Sequence, residues 1–159
     1  LSKSLGSCGG YLVGSQPLID YLRYTLPGFV YSVGLSPPLA ASSRAALQVL
    51  IAEPERVEKL RQVSKHFWEG CQRQGLPLGT SERTPVVPII LADSAACTAL
   101  CAGLAERGIQ VKPIVYPAVE ESAARLRFFL SSEHTIEQLD VVLNALEELM
   151  GRSAVPLSS

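Results

Sequence analysis

The sequence lacks most of what marks a protein for nucleic acid, membranes or metals. Its 14 Lys and Arg are balanced by 15 Asp and Glu, giving a formal net charge of −1. With no basic run and no aromatic interleaving, it offers neither polynucleotides nor anionic lipid an electrostatic footprint. No apolar stretch approaches the roughly 18 residues of a membrane span. The first residues also show neither the charged nor the long apolar region of a secretory signal. Cysteine is sparse: Cys8, Cys71, Cys97 and Cys101 form no Cys-x-x-Cys pair. Buried free thiols are the expected use, with metal or disulfide roles as alternatives, and a reducing compartment, the cytoplasm, is the expected location. A P-loop, a Gly-x-Gly-x-x-Gly turn and a Ser-His-Asp order are all missing.

What is present suits a folded core. Hydrophobic residues make up 47% of 159 and charged residues 18%, a balance that excludes a disordered chain. Along the chain, "GGYLVGS" alternates weakly and predicts a short strand ending at Gly14. Ser15 and Pro17 then open a helix over "PLIDYLRYTL" that Pro27-Gly28 stops. "FVYSVGLSPP", residues 29–38, predicts an ordered loop. From about Pro38 to Gln74 the pattern predicts one long helix, or two meeting at Pro54. Within it Val57, Leu60, Val63, Phe67 and Cys71 recur at helical spacing.

The last part changes rhythm. "TPVVPIILAD" (84–93) predicts a buried strand whose prolines favour a sheet edge. A helix follows from Ser94, its expected cap, to Gly108. A second strand lies in "IQVKPIVYPAV" and a third in "ARLRFFLSS" (124–132). Thr135 and Gln138 have capping-box spacing before a final amphipathic helix, and residues 152–159 are expected to fray. The whole predicts a small α+β layer, a mostly antiparallel sheet with helices on one side.

Few residues offer chemistry. Lys3 lies among serines and glycines that let a backbone approach a planar ligand. A desolvated amine there would be a nucleophile, and a solvated one merely a surface lysine. Arg125 and Arg127 alternate with Leu126 and Phe128, so both point to one strand face. There they either grip a carboxylate through paired hydrogen bonds or are simply solvated. Ser32 is a hydroxyl in an apolar loop, fit to donate to a phosphate or to close a turn. His66, His134 and the pair Glu120 and Glu121 read as non-catalytic.

Three segments, "LSKSLGSCGGYLVGS", "FVYSVGLSPP" and "ARLRFFLSSEHT", resemble in order and spacing the C-terminal part of the α-oxoamine synthases. This group includes 8-amino-7-oxononanoate, 5-aminolevulinate and serine palmitoyl synthesis enzymes and glycine C-acetyltransferase. The resemblance implies an α/β chain of the aspartate-aminotransferase architecture (fold type I) with pyridoxal 5'-phosphate as cofactor. Residues 1–52 would be the remnant of the large cofactor-binding domain, and residues 53–151 the small α+β domain. It makes Lys3 the catalytic, cofactor-carrying lysine and Arg127 the residue for the substrate carboxylate. Ser32 falls in the loop that reaches the cofactor phosphate of the neighbouring subunit in a homodimer. The implied substrates are an amino acid and an acyl-CoA or other acyl thioester, condensed with loss of carbon dioxide to an α-amino ketone.

Two stretches depart from the group. Ser32-Val33-Gly34 stands where Ser/Thr-Thr-Ser is common, which removes two hydroxyls from the phosphate contact. Tyr116 to Ser122 replaces a Pro-Pro-x-Val-Pro-x-Gly loop. The group's threonine before the lysine, its aspartate on the pyridine nitrogen and its stacking histidine belong upstream of Lys3, so this chain alone is expected to be inactive. Another fold-type-I enzyme, an aminotransferase or C–C lyase, and a non-catalytic assembly domain remain the alternatives.

Overall fold

A computed structural model describes residues 1–152. These residues fall into two units, one ending at Pro54 and the other running from Glu55.

The first unit is helical. Its opening residues form a tight turn: the N-terminal amine donates to Gly9 O at 2.8 Å and Gly6 N donates to Lys3 O at 3.0 Å. Gly6 and Gly9 have φ of +56° and +84°, a region that side chains other than glycine resist. The strand expected in "GGYLVGS" does not form. Residues 10–14 have no partner strand among the described residues, and a lone extended segment has nowhere to place its ladder bonds. Helix α1 spans Gln16–Thr25; Ser15 is its cap residue but makes no side-chain cap bond. The loop expected from residue 29 begins as a helical turn instead, α2 over Pro27–Val30, because Pro27 fits a first turn as well as it ends the previous one. Helix α3 runs Pro37–Ala52.

The second unit holds the core. Helix α4 (Glu55–Arg73) follows α3 as a separate helix across Pro54. Strand β1 is Val86–Ile90, helix α5 Ser94–Ala105, strand β2 Lys112–Ile114 and strand β3 Arg125–Phe129. Helix α6 is Ile136–Arg152. The sheet is antiparallel in the order β1-β3-β2, so Pro88, which has no N–H to give, sits on an edge strand. The expected tail at 152–159 lies outside the described residues beyond Arg152, which closes α6.

Period-two alternation divides the sheet into two faces. Val87, Ile89, Leu126 and Phe128 are buried, and Phe67 of α4 meets Phe128 with ring centroids 5.2 Å apart. Cys71, Leu104 and Leu146 bring α4, α5 and α6 into the same core. Gly70 allows α4 to approach α6, since a Cβ at that position would collide with the Leu143 side chain. Caps tie the ends. Thr135 N donates to Gln138 Oε1 at 3.0 Å and Gln138 N to Thr135 Oγ1 at 3.3 Å, a reciprocal capping box. At α5 the cap is Asp93, not Ser94: its carboxylate accepts from Ala96 N at 2.7 Å. Ser94 instead donates to Glu121 through its backbone N–H at 2.9 Å and its hydroxyl at 2.6 Å. Glu121 thus anchors the turn before β3 to the positive end of α5.

Candidate active site

β3 is the central strand, and what it presents away from the helices is its chemistry. Arg125 and Arg127 point to the face opposite Leu126 and Phe128. Directly across the ladder from Arg127 are Pro88 on one side and Lys112 on the other. The remaining positions of that face are Val86, Ile90, Ile114 and Phe129, so three cations share it with no carboxylate in the strands. Opposite residues lie roughly 5 Å apart at Cβ, and such crowding of like charge favours an anion between them.

Arg125 and Arg127 also line an open cavity of about 240 Å³, with Gly79, Thr80, Ser81 and Thr84 of the preceding loop and Val86, Pro88 and Ile90 of β1 as its other walls. Arg125 is partly engaged, since its Nε donates to Ala123 O at 2.8 Å. The half-buried Arg127 guanidinium has no hydrogen-bond or ion-pair partner among the described residues. Its planar fork of donors is therefore available for a carboxylate.

Lys3 and Ser32 belong to the first unit. Lys3 sits on the turn closed by Gly6 and Gly9; its side chain is exposed and unpaired among the described residues. Ser32 lines a groove of about 960 Å³ whose walls include Cys8, Gly9, Gly10 and Tyr11 from the lysine segment. The Ser32 hydroxyl donates to Gly28 O at 2.6 Å, so its proton is committed to the turn while its lone pairs stay free.

Three of the residues set aside from the sequence, His66, His134 and Glu121, have structural partners. His66 of α4 pairs with Asp140 of α6 at 2.6 Å, and His134 Nδ1 accepts from Ser131 N at 3.0 Å. Glu121, read from the sequence as non-catalytic, is the α5 anchor described above. Its partner lies 27 residues away, where no local motif announces it. Cys71 and Cys97 are buried, Cys101 is half-buried and donates to Val111 O at 3.1 Å, and Cys8 is exposed, contrary to a uniformly buried set.

Burial pushes the Cys71 thiol up from 9.0 to about 12 and raises Cys97 as well. Each folded value lies above the unfolded one, so the unfolded chain sheds protons first as pH rises. Stability linked to Cys71 is therefore intact below pH 9.0 and lost progressively towards about 12. Urea midpoints at pH 8 and pH 10 should diverge more for the native chain than for Cys71→Ala. Parallel curves would contradict this burial.

The chain matches a part of the fold-type-I architecture. The profile of the aminotransferase class I and II family matches residues 1–146, and the chain belongs to that family. A curated relative, 8-amino-7-oxononanoate synthase 1 of Bacillus velezensis, is 41% identical over 153 residues. That match takes in 94% of this chain and 39% of the relative. The structure of Sphingomonas wittichii serine palmitoyltransferase superposes with a TM-score of 0.84 at 28% identity, over 98% of this chain and 39% of that one. A serine palmitoyltransferase solved with pyridoxal phosphate gives a TM-score of 0.85 at 24% identity, over 97% of this chain and 39% of that one. The chain thus spans about two fifths of the length of these relatives.

Proposed function

We propose that this chain is the lysine-bearing C-terminal part of a pyridoxal-phosphate-dependent α-oxoamine synthase. The whole enzyme would join an amino acid to an acyl thioester and release carbon dioxide. The observation that carries the reading is the free, half-buried Arg127 fork on the cation-rich face of β3. Identity to a synthase at 41% supports it further.

The residues present fit the cofactor. Lys3 supplies an unpaired amine on a turn whose positive-φ glycines keep side-chain bulk away. Ser32 would meet the phosphate of the neighbouring subunit's cofactor once its hydroxyl turns from Gly28 O. Lys3 would carry pyridoxal phosphate, which when bound supplies an electron sink for negative charge at the substrate Cα.

The chain's own groups do the rest. Arg127 donates two parallel hydrogen bonds to the α-carboxylate and fixes the amino acid's orientation. β3 is paired on both sides, so that orientation rests on a rigid element. The Lys3 amine takes the Cα proton, a general-base step worth about 10² to 10⁴ in rate. A homodimer, in which Ser32 serves the neighbouring subunit, completes the proposal.

Product analysis on the full-length protein tests the reaction. Equimolar loss of acyl thioester and release of carbon dioxide, dependent on amino acid, is the expected result. Transfer of the amino group to a 2-oxo acid, with no thioester consumed, would mark an aminotransferase instead.

A further inference from the structure

One wall of the Arg127 cavity is a loop held both by its own hydroxyls and by helix α4. Gly79 to Thr84 joins α4 to β1, and Arg83 within it has φ of +53°, left-handed backbone for a bulky residue. Three of its residues, Thr80, Ser81 and Thr84, carry hydroxyls and line the cavity. Ser81 Oγ and Thr84 Oγ1 both reach Val86 O, at 3.2 and 2.9 Å, and each other at 3.2 Å. The protons of Ser81 and Thr84 are taken up by that carbonyl and by each other, while Thr80 keeps a hydroxyl at the cavity wall beside the arginines.

Helix α4 supplies the restraint. Trp68, the chain's single tryptophan, donates its indole N–H to Ser81 O at 2.6 Å. Arg83 lies over the same ring at 5.6 Å from its centroid, and its guanidinium also reaches Glu69 Oε1 at 3.4 Å. Two consecutive residues of one helical turn thus grip two residues of the loop. The contacts differ in kind: a hydrogen bond to backbone, a cation–π contact and an ion pair. Phe67, one residue before Trp68, is fully buried in the core, so the grip is referred to the rigid part of the unit.

We infer that Trp68, with Arg83 across its ring, is a positioning residue for substrate recognition. It holds the loop 79–84 as the fixed wall against which Arg127 receives a carboxylate, and it touches no substrate itself. This role rests on the assignment of Arg127 to the α-carboxylate. It adds that α4 and the loop set the affinity for the amino acid.

Two variants and two readouts test this. Trp68→Phe keeps an aromatic surface and removes the N–H; Arg83→Gln leaves the core untouched and removes the cation. The ¹⁵N-labelled full-length protein is titrated with alanine, and with propylamine as the carboxylate-free control, while the Arg127 Nε–Hε signal is followed. Amide exchange is measured over residues 80–84. The expected result is a saturable response to alanine alone, an affinity lower by about fivefold in each variant, and faster loop exchange with the rest of the unit unchanged. Unchanged alanine affinity in both variants, with the native response intact, overturns the positioning role and spares Arg127. A native Arg127 signal that ignores alanine overturns the carboxylate assignment, and the positioning role with it. If Trp68→Phe fails to fold, Arg83→Gln alone decides.

Discussion

Replacing Arg127 by alanine in the full-length enzyme should raise the KM for the amino acid by about 100-fold or more. The guanidinium is half-buried and has no partner of its own, so nothing nearby takes over its charge when the side chain is cut back. Lysine is an informative second substitution. It restores the charge but not the planar pair of donors, and should recover only part of the loss, leaving about a tenfold defect. Arg125 is the internal control. Its Nε is already given to Ala123 O, so Arg125→Lys should cost less than Arg127→Lys. Steady-state kinetics with the acyl thioester saturating separates these cases. Equal defects at the two arginines would mean that the face acts as a diffuse positive patch and not as a directed fork.

The second large effect is expected at Lys3. Lys3→Ala should lower kcat by about 10³-fold or more, because under the proposed function one substitution would remove both the cofactor-carrying amine and the base for the Cα proton. Lys3→Arg should fail almost as badly, since a guanidinium stays protonated and can neither carry the cofactor nor accept a proton. That comparison excludes a purely electrostatic role, for which arginine would serve. Fold stability should be unaffected in both variants: Lys3 is exposed, makes no side-chain bond among the described residues, and only its carbonyl takes part in the turn.

The face of β3 was legible from sequence because its signal is local. Arg125, Leu126, Arg127 and Phe128 alternate, and alternation alone puts the arginines together once the strand has partners. Helix α4 was legible for the same reason, through Val63, Phe67 and Cys71, and so was the box of Thr135 and Gln138. The failures share a cause too. Tyr11 to Val13 have the composition of a strand, yet a strand exists only with a neighbour, and these residues remain 64% to 84% exposed without one. Pro27 both ends α1 and starts α2, and composition does not separate the two. Glu121 and Trp68 were missed because their partners, Ser94 and Ser81, lie 27 and 13 residues away. The cavity beside Arg127 was illegible for a related reason: its wall is a loop, and loops carry no period from which a shared surface can be read.

Polar contacts beyond the core are thus what convert a simple layered unit into a site. Glu121 fixes the turn that feeds β3, Trp68 fixes the loop that faces it, and the strand between carries the Arg127 fork, which has no partner among the described residues. Each acts on the placement of Arg127 and not on chemistry. The chemistry is assigned to Lys3, on the other unit.

The most direct test of the account is therefore a covalent one. The protein is mixed with pyridoxal phosphate, reduced with borohydride and mapped by peptide mass. The account requires an absorbance band near about 420 nm before reduction and a phosphopyridoxyl label on Lys3 alone. Label scattered over Lys59, Lys65 and Lys112 with Lys3 unmodified, in the full-length enzyme as well as in this chain, would contradict it.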